Sequence, residues 1–203
     1  MWAIRERRTP RHTFSSLAML GLAAGMLTML SAAPAEAMPV VDQSYTTPGH
    51  LLAVINEGCK YVAQSFTVGV SGTLTGVNID VQSAREVVPP LRVVIRRSRH
   101  NRPLGPPLGV RSLADPRAPL TRLIAFDEAI PVVAGEHYAI QVNYQGAEPG
   151  AGHSLGAWDG GTDNGYVGGL AIFGDCPGYG GTFWYVLDPS YDLHFRTYVE
   201  PAP

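Results

Sequence analysis

Beyond residue 38 the chain is organised by apolar positions that recur at every second residue. Val62, Gln64, Phe66 and Val68 stand against small or polar neighbours, and Val77, Ile79 and Val81 alternate with Asn78 and Asp80. Leu91, Val93 and Ile95 alternate with Arg92, Val94 and Arg96, while Tyr138, Ile140, Val142 and Tyr144 alternate with His137, Ala139, Gln141 and Asn143. Leu120–Phe126 is a further strand candidate, and Leu193, Phe195 and Thr197 close the series against His194 and Arg196. A period of two puts one face of each segment on a core and the other in water. Outside the N-terminal leader no stretch carries apolar residues at i, i+3, i+4 and i+7 over three turns. The chain therefore lacks the crossover helices that parallel strands need. The expected fold is all-β: a two-sheet antiparallel β-sandwich of jelly-roll type, built from about eight or nine short strands, with a closed barrel as the alternative.

The punctuation agrees with many turns. The 23 Gly and 17 Pro supply positive φ and fixed φ at the joints between short strands. Ser98–Pro119 contains Pro103, Pro106, Pro107, Pro116 and Pro119 and reads as a long connection that no central strand could accommodate. Gly146–Gly156 and Gly174–Gly181 flank a second segment rich in Gly and aromatic residues. Long connections of this kind tend to carry function.

The N-terminus carries an address. Arg5, Arg7, Arg8 and Arg11 precede an apolar run, Leu17–Ala33, and then Ala35-Glu36-Ala37, a small-x-small cleavage pattern. The run of about 17 residues stands at the lower limit for crossing a bilayer. Residues 1–37 are therefore expected to be a signal peptide cleaved after Ala37. Arg7-Arg8 raises the twin-arginine route, but Pro10 stands where that motif favours an apolar residue, so the general secretory path is expected. Residues 38–60 are expected to join the domain and 61–199 to form the sandwich. No second apolar span follows, so the mature protein is expected to be secreted and extracellular, with no membrane association after cleavage.

Charge then narrows the partners. The leader holds four Arg and two Glu, leaving eleven bases against fifteen acids in the remainder, a charge of −4. That balance excludes general nucleic-acid binding, which draws on a basic surface. Arg92, Arg96, Arg97, Arg99, Arg102 and Arg111 crowd one stretch and form either a patch for an anionic polymer or a solvated strand face. Export also changes how the cysteines read. Cys59 and Cys176, the only two, lack zinc-site spacing and are expected to form one disulfide. Closing so long a loop constrains the unfolded chain by about 4–5 kcal/mol in the entropy model.

Several segments together resemble a known kind of module. QSFTVGVSGTLTGVNIDV, LRVVIRRS with RPLGPPLG, IPVVAGEHYAIQVNY, GYVGG and DLHFRTYV resemble, in that order, the jelly-roll-like β-sandwich modules of bacterial secreted and surface proteins. The likeness covers residues 61–199 and implies a sandwich of unassigned function with no catalytic motif. The anchored members carry a sorting signal or apolar tail, which is not seen before Pro203, so free secretion is the expectation.

The sequence holds few motifs that carry chemistry. G-x-S-x-G, H-E-x-x-H and phosphate-binding glycine loops do not occur. Of His50, His100, His137, His153 and His194, none is spaced with another as a metal pair, and His137 and His194 are expected on polar strand faces in solvent-facing or structural roles. Asp127 with Glu128, or Asp188 with Asp192, could flank a glycosidic bond only if the fold set them across a cleft.

The segment Trp158-Asp159-Gly160-Gly161-Thr162-Asp163-Asn164-Gly165-Tyr166 stands out. Against the EF-hand template with Asp159 first, position three is Gly161 and position twelve is Leu170, a poor match. The expected cofactor is none, with calcium in another geometry as the alternative to a plain Asp/Asn/Gly turn. Trp158, Tyr166, Tyr179, Trp184 and Tyr185 gather nearby, and Trp158, Asp159, Asp163, Asn164 and Tyr166 form the expected ligand site. Rings there could stack on sugar C–H faces and the polar groups could meet hydroxyls. The expected function is non-catalytic: an extracellular binding or adhesion module for a glycan or another surface component. A structural or protein-interaction domain without a small ligand is the alternative, and a secreted hydrolase the third choice. Exposed rings would favour the first reading, buried rings the second.

Overall fold

A computed structural model of the chain describes residues 38–47, 51–55, 60–83, 89–114, 123–145, 156–163, 165–174, 184, 186 and 188–203. The expected leader 1–37, Asn164 and both cysteines, Cys59 and Cys176, lie outside the described residues. So do Tyr179 and Tyr185.

Every regular element among the described residues is a strand. In chain order these are β1 (Val40–Tyr45), β2 (Leu51–Ile55), β3 (Tyr61–Thr67), β4 (Gly72–Ile79), β5 (Val81–Ser83), β6 (Leu91–Arg99) and β7 (Arg102–Leu113). They continue as β8 (Ile124–Val132), β9 (His137–Tyr144), β10 (Gly156–Gly161), β11 (Ala171–Gly174), β12 (Asp192–Leu193) and β13 (Phe195–Pro201). All pairings are antiparallel. The protein is an all-β antiparallel sandwich, and the period-two pattern is the cause. Val77 and Ile79 are buried while Asn78 between them is half-buried; Phe195, Thr197 and Val199 are buried while Arg196 is exposed.

The ladders form three sheets rather than the expected two. One runs β1-β13-β4-β8, a second β12-β10-β2 with β5 also on β10, and a third β11-β3-β9-β6-β7. The first and third face each other across one core, where the rings of Phe66 on β3 and Phe195 on β13 lie 6.0 Å apart. The inner strands β3 and β9 of the third sheet are buried on both faces along most of their length, with Ala63 and Ser65 as inaccessible as Val62 and Phe66, while the edge strand β7 is largely exposed.

The segment 38–60 supplies strands to two sheets, since β1 pairs with β13 and β2 with β10. One sequence expectation is corrected. Ser98–Pro119 is not a connection throughout, because β6 and β7 form a hairpin that turns at His100 and Asn101, both at positive φ (49° and 63°). That is the geometry of a two-residue hairpin turn whose twist matches its strands. The prolines are tolerated because β7 is the edge of its sheet. Between the Ile95–Gly109 and Arg97–Leu104 pairs, residues 105–108 stand against Arg96 alone, and this bulge takes up Pro106-Pro107.

The feature that matters most for chemistry is a fork. β4 and β13 pair as far as Ile79 opposite Phe195, then separate, and one edge of β10 runs across both continuations while β2 takes its other edge. Before the vertex Trp158 pairs with Val81, and past it Gly160 pairs with Leu193. Three residues occupy the vertex: the Asp159 N–H donates to the Asp80 carbonyl and the His194 N–H to the Asp159 carbonyl, each at 2.8 Å. Gly160 permits the close approach, since a Cβ there would fall onto the Asp192 carbonyl oxygen.

Candidate functional site

Alternation would send the side chains of Asp80, Asp159 and His194 outward from their strands. At the vertex it sends them toward one another. The Nδ1 of His194 lies 3.8 Å from an Asp80 carboxylate oxygen and 3.9 Å from one of Asp159. One ligating atom from each residue falls within 4.8 Å of the others. The imidazole is held on its far side, where Nε2–H donates to the Thr47 carbonyl at 2.6 Å. A carbonyl can only accept, so Nε2 carries a proton, and Nδ1 faces the two carboxylates. The backbone is fixed as well, for the Trp158 indole Nε1–H donates to the His194 carbonyl at 2.8 Å. Asp159 keeps one oxygen on the Gly160 N–H (2.8 Å) and turns the other to the histidine.

Beside the fork, the chain after β10 is tied down by groups beneath it. The Tyr45 hydroxyl donates to Asp163 at 2.5 Å, and the Tyr45 ring lies 5.6 Å from the His194 ring. This hydrogen bond holds the Asp163 carboxyl below the usual carboxylate range, and burial, followed by the contact with Asp163, holds the Tyr45 hydroxyl above its ordinary value. Tyr166 is buried, edge-on to Phe195 at 5.1 Å. Its hydroxyl donates to Gln43 Oε1 and accepts from the Thr67 N–H, both at 3.1 Å, and burial pushes its pKa up to about 12. Its N–H donates to Asp192 Oδ2 at 3.1 Å. Asp192 is itself buried against Gln64, whose Nε2 donates to Asp192 Oδ1 at 3.0 Å, while the Leu193 N–H donates to Gln64 Oε1 at 2.7 Å. Burial raises the Asp192 pKa against the opposing pull of these donors.

The residues singled out in the sequence are therefore divided. Trp158 is 0% exposed and Tyr166 8%, so neither offers a face for stacking; both are core anchors. That corrects the reading of them as ligand-binding rings. The cause is register: Trp158 points to the core side of β10 together with Val81 on its partner strand. Asp159 turns to Asp80 and His194, and Asp163 to Tyr45, so the two acids of the turn do not share a site. Asn164 lies outside the described residues. Thr162, Asp163, Gly165 and Val167 are exposed, Val167 at 95%.

Three of the acids considered for hydrolysis, Asp127, Asp188 and Asp192, have structural partners. Asp127 accepts from Arg111 Nη1 at 2.7 and 2.9 Å, and Asp188 accepts from the Ser190 N–H and hydroxyl at 2.8 and 2.7 Å. The arginine stretch is partly structural too: Arg96 donates to Gln141 Oε1 at 3.0 Å and to the Gly105 carbonyl. His137 sits in solvent with Nδ1 2.9 Å from the Thr67 hydroxyl, as an outward strand position implies. His194 does not: its partners come from residues 80 and 159, and no local spacing in the sequence announces them. No protein-family model matches this chain, and no curated protein does.

Proposed function

We propose that the chain is a non-catalytic extracellular binding module that attaches to another protein through the segment between β10 and β11. The observation that carries this reading is the two-sided build of that segment. Tyr45, Tyr166 and Asp192 hold it from within, while Thr162, Asp163, Gly165 and Val167 face outward. A surface held this way loses little conformational freedom on contact, which lowers the cost of binding. Sugar stacking needs exposed rings, and Trp158 and Tyr166 are inside, so an aliphatic and polar contact with a protein fits better than a glycan platform. The commitment of Asp127, Asp188 and Asp192 to structural partners argues in the same direction against a hydrolase.

The test uses residues 38–203 offered to bacterial cells with and without prior protease treatment, beside a glycan array. Binding to untreated cells, lost after proteolysis of the surface and reduced in Val167→Arg and Thr162→Arg, is the expected result. Far-UV circular dichroism checks that both variants fold. Binding that survives proteolysis and appears on the array would overturn the protein-partner reading.

A further inference from the structure

We propose that the fork between β4, β10 and β13 is a binding site for a divalent transition-metal ion of the zinc type, with Asp80, Asp159 and His194 as its ligands. This does not depend on the reading of the β10–β11 segment.

The donor set defines the ion. An imidazole nitrogen with two carboxylate oxygens is a borderline site that suits zinc and its first-row neighbours, whereas calcium and magnesium take oxygen ligands throughout. The ligand atoms already converge, with Nδ1 at 3.8 and 3.9 Å from the two carboxylates. An ion seated among them asks for ligand distances of about 2.0–2.2 Å.

Three features separate this group from an ordinary acidic cluster. His194 is 8% exposed, and its Nδ1 makes no hydrogen bond to either carboxylate at these distances. One imidazole nitrogen and two carboxylates that face one another without a hydrogen bond present ligand atoms that a cation can bridge. The Nε2–H···O=C bond to Thr47 is the outer contact that metal-bound histidines make to fix ring and tautomer. The backbones of all three ligands are joined by the vertex hydrogen bonds, so the site needs no assembly from loops. The side chains of Asp80 and Asp159 keep 30% and 22% of their surface in solvent, which gives the ion an entry and leaves coordination positions for water.

Isothermal titration of the untagged, chelator-treated mature chain with zinc chloride tests the site. One equivalent per chain is expected, with affinity weakened about tenfold or more in Asp80→Asn and in Asp159→Asn. These two replacements keep shape and the vertex backbone bonds, so both variants fold. Cobalt substitution gives a second readout, a visible absorption band present in the parent and lost in both variants. Absence of stoichiometric zinc uptake overturns the proposal. So does uptake that both Asn variants retain in full, or that disappears instead with Cys59→Ser and Cys176→Ser.

Discussion

Replacing Trp158 with Phe separates a core tryptophan from a ligand platform. The indole is fully buried among the core residues, and its Nε1–H is the 2.8 Å donor to the His194 carbonyl. Phe keeps an aromatic ring but has no donor, so that carbonyl loses its partner at a cost of about 1–3 kcal/mol. The lost second ring leaves space of roughly 40 Å³, worth about 1 kcal/mol by the cavity relation. Together the destabilisation is about 2–4 kcal/mol. For a domain of this size that lowers Tm by about 5–15 °C. Urea unfolding of parent and variant measures it, with the midpoint falling and the slope m unchanged, since native compactness is not altered. A variant within about 0.5 kcal/mol of the parent would refute the reasoning, because only an exposed site tolerates such a change so lightly.

Other outcomes follow from the same contacts. Gly169→Ala is expected to destabilise by about 3 kcal/mol in the same urea assay, because its Cβ would meet the Ser65 carbonyl across the β3 edge, where backbone cannot move aside. In Tyr45→Phe, the Asp163 carboxyl is expected to rise toward the ordinary carboxylate range in an NMR titration; its depressed value means that its stabilisation is present above the unfolded pKa and is lost as pH falls through the folded one. An unshifted Asp163 would contradict the hydrogen bond. The β3–β11 ladder ends at Tyr61 opposite Gly174, with Cys59 two residues before Tyr61 in the sequence and Cys176 two residues after Gly174. Alkylation of the unreduced, denatured protein is therefore expected to label neither thiol, and full labelling of both would refute the pairing.

Much of the architecture was legible because β3, β4, β6, β9 and β13 all carry an apolar period of two; in β4 and β13 it follows from burial on one face, while in β3 and β9 the alternate positions hold small or polar residues that are buried as well. What escaped was long-range or local in a way composition hides. β7 carries Pro103, Pro106 and Pro107, which read as a connection until an edge position and a bulge make room for them. The hairpin turn uses His100 and Asn101 at positive φ without glycine, so the usual turn signal is missing there. Trp158 and Tyr166 lie in a Gly-rich stretch that looks like a displayed loop, yet strand register turns the first inward and Gln43, Thr67 and Asp192 hold the second. The fork is the clearest case. Asp80 and His194 each look like a solvent-facing strand residue and Asp159 like part of a ligand-binding loop, and only the divergence of β4 from β13 along β10 brings the three together.

Long-range ¹H–¹⁵N NMR of the His194 ring in the mature chain tests that convergence most directly, before any metal is added. With Thr47 accepting from Nε2 and two carboxylates facing Nδ1, the proton is expected on Nε2, and the signal should move in Asp80→Asn and Asp159→Asn. A ring protonated on Nδ1 with a bare Nε2, unaffected by either replacement, would contradict the fork.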